Sequence, residues 1–229
     1  MFRSERHTEY LDIPIWNMLV LKFVYDLRVG KKSEVCPTDF QNHFHVIQDI
    51  YNDHLFIYTD GSKDDNKVGC TAVFGRPFIK EQLPDAASIY SAELEKGYLA
   101  ARHIVDSQKS NFVICLYSMS CVQAIENLDI DHPIVLDIFN LFHTHGTQKK
   151  YLVLCWVPSH FGIRGNEFAE KIVKLALTDQ PKSIKLPYSD YIVIFQNLFA
   201  KEVVEHLVCT TCQQVVFCAT ISRNLAIVQ

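Results

Sequence analysis

The chain has 229 residues, of which 48% are hydrophobic and 21% are charged. This composition is typical of one large or two small globular domains and excludes a wholly disordered chain. The formal net charge of −4 excludes a protein that coats nucleic acid through a strongly basic surface, so any role with nucleic acid must come from a local site.

Two features of the sequence bear on the compartment. The apolar stretch from Ile13 to Val24 contains Asn17 and Lys22 and has no small-residue cleavage site, so we do not expect a secretory signal. No run approaches the roughly 18 apolar residues of a membrane-spanning helix. We therefore expect an intracellular protein, cytoplasmic or nuclear, with no membrane partner, whose 8 cysteines are reduced and mostly buried.

The first predicted elements are three short strands. His54 to Asp60 is an apolar and aromatic run closed by Gly61, and Lys67 to Gly75 is a second run rich in small residues. A third strand covers about Pro77 to Gln82, and the polar turns between the runs indicate an antiparallel meander. From Ser88 to Ser107 the apolar residues recur every three or four positions, which predicts a helix.

The second half of the domain alternates strands and helices. Two continuous apolar runs, Phe112 to Tyr117 and Tyr151 to Val157, have the length and pattern of strands covered on both faces. Helical patterns lie around Val122 to Leu128, from Pro133 to His145 and from Asn166 to Leu177. The order of elements predicts an α/β domain with a mixed sheet and helices on both faces.

Three acidic residues lie at the ends of predicted elements. Asp60 ends the first strand, Glu93 lies near the start of the following helix and Glu170 near the start of the last helix. In open α/β sheets, ligands bind in the crevice at the strand ends. Carboxylates brought together there repel one another unless a hard divalent cation neutralises them, so the pattern predicts a site for Mg²⁺ or Mn²⁺.

A more specific pattern consists of four segments in a fixed order: TDGS at 59–62, SAELE at 91–95, LYSMSCVQAI at 116–125 and WVPSHFGIRGNEFAE at 156–170. With these segments the chain resembles, over residues 54–178, the type I ribonuclease H domain of the reverse-transcriptase polyproteins of non-LTR retrotransposons. Four ordered motifs are a stronger signal than any one of them. The resemblance implies a ribonuclease H-like fold with a five-stranded mixed sheet, a two-metal carboxylate site and endonucleolytic hydrolysis of the RNA strand of RNA/DNA hybrids.

The resemblance also assigns roles to individual residues. It implies that Asp60 touches both metals, that Glu93 is a second carboxylate ligand, and that His160 assists proton movement or product release. Glu170 falls where the family usually has aspartate, and Met119 occupies the remaining ligand position, where the family has aspartate too. Because a thioether is a poor ligand for Mg²⁺, the resemblance implies an impaired site that holds one metal, or two weakly.

The same resemblance divides the chain into three parts. Residues 1–50 are expected to be an N-terminal extension left from an upstream polyprotein segment, residues 51–180 the ribonuclease H-like domain, and residues 181–229 a helical tail. The expected partner is an RNA/DNA hybrid, bound by a monomer or by part of a larger reverse-transcriptase polyprotein. The candidate contacts to the nucleic-acid backbone are basic residues, Lys149, Lys150, Arg164, Lys171 and Lys174.

Plainer interpretations of these residues stay open. Asp60 could end its strand in an Asx turn, Glu170 could form a surface ion pair, and Met119 could fill a gap under the sheet edge. Two alternative functions follow, a catalytically dead nucleic-acid-binding module and a retroelement relic without function. Met119 is the feature that separates a hydrolase from a binding module.

Two other motifs do not lead to a site. Ser159 and His160 are adjacent, but the chain has no Gly-x-Ser-x-Gly nucleophile elbow, so we do not expect a serine hydrolase. Cys209 and Cys212 have the spacing of a zinc knuckle, but no second pair lies at finger spacing. We therefore expect these two cysteines to be unpaired thiols.

Overall fold

The computed structural model describes residues 21–28, 36–65, 67–144, 150–192, 194–196 and 198–202. Up to residue 186, the described residues form six strands and five helices. The strands are β1 (Leu21–Val24), β2 (Leu55–Asp64), β3 (Lys67–Val73), β4 (Phe78–Leu83), β5 (Asn111–Leu116) and β6 (Tyr151–Trp156). The helices are α1 (Pro37–Ile50), α2 (Ile89–Asp106), α3 (Met119–Glu126), α4 (Pro133–Thr144) and α5 (Arg164–Ala176).

All six strands belong to one mixed sheet, in the order β1-β6-β5-β2-β3-β4. Strands β2, β3 and β4 pair antiparallel, as the predicted meander requires. Three pairs of neighbouring strands are parallel: β1 with β6, β6 with β5, and β5 with β2. The protein therefore has an α/β fold with a six-stranded mixed sheet.

The sheet has one strand more than the five that were expected. The additional strand is β1, which pairs in parallel with β6 so that Leu21 lies opposite Leu152. Without it, β6 would present an unpaired edge along a buried strand. The sequence analysis missed β1 because four residues are too few for a period-two pattern to stand out.

Both faces of the sheet are covered by helices, as predicted. In β5, Phe112 and Ile114 pack into the core on the side of α2, α3 and α4, whereas Val113 and Cys115 pack into the core on the side of α1. Helix α5 packs against β2 and β3, where Ala176 lies close to Gly69. The alternation explains why β5 reads as a continuous apolar run, since each residue faces one of two cores.

Helix α1 belongs to the core of the domain. Its buried residues Phe40, Phe44 and Ile47 lie four and three positions apart, so they form one face of the helix. That face covers β5 and β6 on one side of the sheet. The described residues up to Leu186 accordingly form one compact unit.

A second unit begins at Pro187. Its described residues after Pro187, at 188–192, 194–196 and 198–202, are helical and lie within residues 181–229, where the sequence predicts a helical tail. Cys209 and Cys212 lie outside the described residues. Among the helices that the structure describes, none has the length and apolar character needed to cross a membrane.

We expect Phe44→Ala to lower the free energy of unfolding by about 3–4 kcal/mol, because it removes a buried ring and leaves a cavity between α1 and the sheet. The matched control is Val46→Ala on the exposed face of the same helix, with an expected change of under about 0.5 kcal/mol. Denaturant unfolding measures both values. Equal, small effects would show that α1 is a dispensable extension.

Candidate functional site

Strand β2 carries Asp60 to the crevice at one edge of the parallel part of the sheet. The pairing of β2 with β5 runs from Leu55 to Tyr58, and beyond it β2 continues beside β3 alone. Thr59 holds this junction, since its hydroxyl donates a 2.8 Å hydrogen bond to the carbonyl oxygen of Cys115. Asp60 therefore lies just past the end of a parallel strand pair, where α/β proteins bind ligands.

Helix α2 brings Glu93 to the same place. The helix begins after Ser88, whose side chain caps it by accepting a 3.0 Å hydrogen bond from the backbone N–H of Ser91. Glu93 then lies one turn into the helix, directly over Gly61 of β2. A Cβ atom on residue 61 would come within 3.0 Å of Glu93 Oε1, so glycine permits the close approach of α2 to β2.

Helix α5 and the loop before it supply Glu170 and His160. The Nδ2 group of the buried Asn166 donates a 3.3 Å hydrogen bond to Glu170 Oε1, and His160 Nδ1 lies 3.4 Å from the same oxygen. The His160 side chain is 77% exposed and that of Glu170 26%. His160 has a positive φ of 67°, which turns the loop at this point.

Asp60, Glu93, His160 and Glu170 all line one groove of about 410 Å³. The structure thus brings together, from four separate segments, the four residues that the resemblance implied were catalytic. The other lining residues are Gly61, Ser62, Lys63, Ile89, Tyr117, Ser159, Val173 and Lys174. Met119 is not part of this lining, since it is the first residue of α3, after the helix cap Ser118.

Burial and like charge shift the acid-base behaviour of the groove. Burial raises the pKa of Asp60 to about 6, the nearby Glu93 and Glu170 raise it as well, and Lys96 acts in the opposite direction. Burial also raises the pKa of the Tyr117 hydroxyl, which borders the same groove. Ionisation of Asp60 at neutral pH therefore lowers the stability of the folded protein.

The sequence analysis missed Lys96, a cation that pairs with one of the groove's carboxylates. Its side chain is fully buried and forms an ion pair with Glu93, whose side chain is 14% exposed. The ammonium also lies 4.7 Å from the centre of the Tyr117 ring, over its face. A sequence signal exists, because Glu93 and Lys96 have the i, i+3 spacing of helix neighbours.

The groove does not fit a two-metal centre. Within the described part of the chain, no three or more histidine, cysteine, aspartate or glutamate side chains converge to hold a metal ion. Glu93 is already paired with Lys96, and the resemblance's fourth acidic position is Met119. The carboxylates that remain, those of Asp60 and Glu170, are too few for two hard divalent cations.

The candidate basic residues fall into different settings. Arg164 and Lys171 are exposed on α5, and Lys174 is exposed on α5 where it lines the groove. Lys63, which the sequence analysis did not single out, lines the groove from β2 and donates a 3.0 Å hydrogen bond to the carbonyl oxygen of Ala87. Lys149 lies outside the described residues.

Lys150 stabilises the end of a helix. Its ammonium donates hydrogen bonds to carbonyl oxygens at the C-terminus of α2, those of Val105 at 3.2 Å and Ser107 at 2.6 Å, and it also contacts the carbonyl of Ile104. A cation at a helix C-terminus is favourable because it meets the last, unpaired carbonyl groups. The side chain of Lys150 is thus occupied by the fold.

Comparison with known proteins finds no protein-family model and no curated protein that matches this chain.

We expect Asp60→Asn to raise the free energy of unfolding by about 1–3 kcal/mol at pH 8. The folded pKa of about 6 lies above the ordinary value of 3.8, so the parent loses stability as the pH rises from about 4 to about 7, and asparagine removes that loss. Denaturant unfolding between pH 4 and pH 8 measures the difference, which should vanish near pH 4.

The matched control for this measurement is Asp64→Asn, an exposed aspartate on the same strand. Its stability should follow that of the parent at every pH. Should Asp60→Asn prove less stable than the parent at pH 8, Asp60 would be a residue that the fold needs in its charged form, as in an Asx turn.

Proposed function

We propose that this chain is a ribonuclease H-type domain that binds RNA/DNA hybrids at the carboxylate groove and hydrolyses the RNA strand slowly, with a single, weakly bound Mg²⁺ or Mn²⁺ ion as cofactor. The observation that carries the proposal is the meeting of Asp60, Glu93, His160 and Glu170 in one groove. These side chains come from β2, α2, α5 and the loop before α5, so their convergence requires the whole domain.

The sheet supports a ribonuclease H-like fold. Strands β2 to β6 would supply the five strands of that fold, three of them in an antiparallel meander and then two more in parallel, and β1 would add a sixth at the edge of β6. Helices cover both faces. A shared fold does not by itself imply a shared activity, so the proposal rests on the groove.

Three features of the groove predict slow hydrolysis. Glu93 forms an ion pair with Lys96, and Met119 occupies a position where the family has aspartate. Glu170 has one methylene more than the aspartate usual in the family. A displacement of about 1 Å in a reacting group is enough to cost on the order of a hundredfold in rate. In this proposal His160, which is exposed and 3.4 Å from Glu170, would carry a proton between the groove and solvent.

The rim of the groove can accept a nucleic-acid backbone despite the net charge of −4. Lys63 and Lys174 line the groove together with the carboxylates, and Arg164 and Lys171 add positive charge on the exposed face of α5. Recognition of a hybrid would then depend on the shape of its groove and on 2′-hydroxyl contacts. The local charge supplies the phosphate contacts.

A second candidate function is hybrid binding without cleavage. The ion pair between Lys96 and Glu93 favours it, because it satisfies a carboxylate that hydrolysis would need as a metal ligand. This candidate uses the same groove and the same rim of basic residues. The two functions differ only in whether the RNA strand is cut.

The test is a cleavage assay on an end-labelled RNA/DNA hybrid, first with Mg²⁺ and then with Mn²⁺. We expect slow cleavage of the RNA strand by the parent, none by Asp60→Asn, and the parental rate from the control Asp64→Asn, because only Asp60 lies in the groove. DNA duplex and RNA duplex of the same sequence should not be cut. Binding of the hybrid without any cleavage would establish the second candidate.

Hybrid binding tests the rim separately. Lys63→Ala combined with Lys174→Ala should weaken hybrid binding by about 3- to 30-fold and reduce the slope of log K against log salt by about 1 to 2, because two phosphate contacts are lost. Fluorescence anisotropy over a salt series measures both. The control is Lys109→Ala. Lys109 is exposed and lies just before β5, at the end of the strand away from the groove, so this variant should bind the hybrid as the parent does. Unchanged binding by the double variant would contradict the assignment of this groove to nucleic acid.

A further inference from the structure

Lys96 is the charged residue among the largest fully buried side chains of the described residues. Removing an ammonium group from water is costly, and the cost is recovered only where anionic partners and good contacts surround it. Around Lys96 these partners are the carboxylate of Glu93, in direct contact, and the face of the Tyr117 ring. The carboxylate of Asp60 is close enough for Lys96 to favour its ionised form.

The Lys96 ammonium contacts the carboxylate of Glu93, which a divalent cation in the groove would need as a ligand. The carboxylates of Asp60, Glu93 and Glu170 repel one another, and a metal ion is the usual means of neutralising such a group. Here a positive charge from the chain itself already contacts Glu93. A divalent cation that used Glu93 as a ligand would have to displace Lys96 from its carboxylate and leave the buried ammonium unpaired.

We propose that Lys96 is the resident cation of the groove, so that its ammonium pairs with Glu93 and prevents a divalent cation from binding tightly to the Asp60 and Glu93 carboxylates. The inference rests on the proposed function to the extent that it concerns the same groove. It extends that proposal, because it names the residue that suppresses metal binding and predicts that a single substitution creates a metal site.

The decisive substitution is Lys96→Met, which keeps an unbranched side chain of similar length and removes the charge. Glu93 would then be a poorly solvated carboxylate without a partner, close to a second carboxylate. The variant should therefore be less stable than the parent in the absence of metal and should be stabilised by saturating Mn²⁺ or Mg²⁺, because a ligand that binds only the folded state raises stability by mass action. The parent should show little change with either metal.

Two control variants separate a metal effect from a packing effect. Lys96→Arg keeps the positive charge, so it should remain insensitive to Mn²⁺ as the parent is. In Lys96→Met combined with Glu93→Gln, both charges are absent, so the stability lost in Lys96→Met should be recovered and Mn²⁺ should have no effect. A purely structural role for Lys96 would give neither the response to Mn²⁺ nor its dependence on Glu93.

The experiment uses the full chain, without nucleic acid. Titration of protein with Mn²⁺, followed by the electron paramagnetic resonance signal of free Mn²⁺, gives the affinity, and melting temperature with and without Mn²⁺ gives the coupled stability. We expect Lys96→Met to bind Mn²⁺ about tenfold or more tightly than the parent and Lys96→Arg. Equal affinities in a folded Lys96→Met and the parent would overturn the proposal.

If Lys96→Met does not fold without metal, refolding in the presence of Mn²⁺ decides the question. Recovery of a cooperative melt with Mn²⁺ supports the proposal, and failure to fold with or without Mn²⁺ overturns it. Cleavage plays no part in these readouts. Tight Mn²⁺ binding by Lys96→Met, with no hydrolysis of the hybrid by the parent, would therefore support the role of Lys96 and contradict the hydrolase. Hydrolysis by a parent that binds Mn²⁺ tightly would support the hydrolase and contradict the role of Lys96.

Discussion

Burial of β5 and β6 on both faces is the constraint on which the rest of this structure depends. Alternate residues of β5, such as Phe112 and Val113, face different cores, so each side of the sheet needs its own helical layer. Helices α2, α3 and α4 supply one layer, and α1 and α5 lie on the other side. The candidate site follows from this arrangement, because α2 and α5 bring Glu93 and Glu170 to the strand that carries Asp60.

The carboxylates of this site repel one another, and a buried ammonium of the chain itself offsets part of that repulsion. Burial and neighbouring carboxylates raise the pKa of Asp60 to about 6, so its ionised form is held at a cost in stability. The buried ammonium of Lys96 offsets part of that repulsion by pairing with Glu93. Native proteins place such unfavourable charge clusters at functional sites, which is the physical reason to look for function in this groove.

Met119 and Lys96 stand in different relations to the groove. Met119 lies at the start of α3, outside the lining of the groove. Lys96 places a buried ammonium in contact with the carboxylate of Glu93. The groove therefore combines carboxylates from three elements with an internal counter-charge on one of them.

The local pattern of the sequence determined the meander, the two doubly covered strands and the helix that carries Glu93. It also determined the order of the acidic residues. Each of these features depends on periodicity or turn residues within a few positions. Only the tertiary structure decided that β1 joins the sheet and that α1 belongs to the core, since a four-residue strand is defined by its pairing with β6 rather than by its own pattern. It also decided the role of Lys96. A lysine in a helix is exposed by default, and its burial against Glu93 and Tyr117 depends on the packing of α2 against the sheet, which no local pattern encodes.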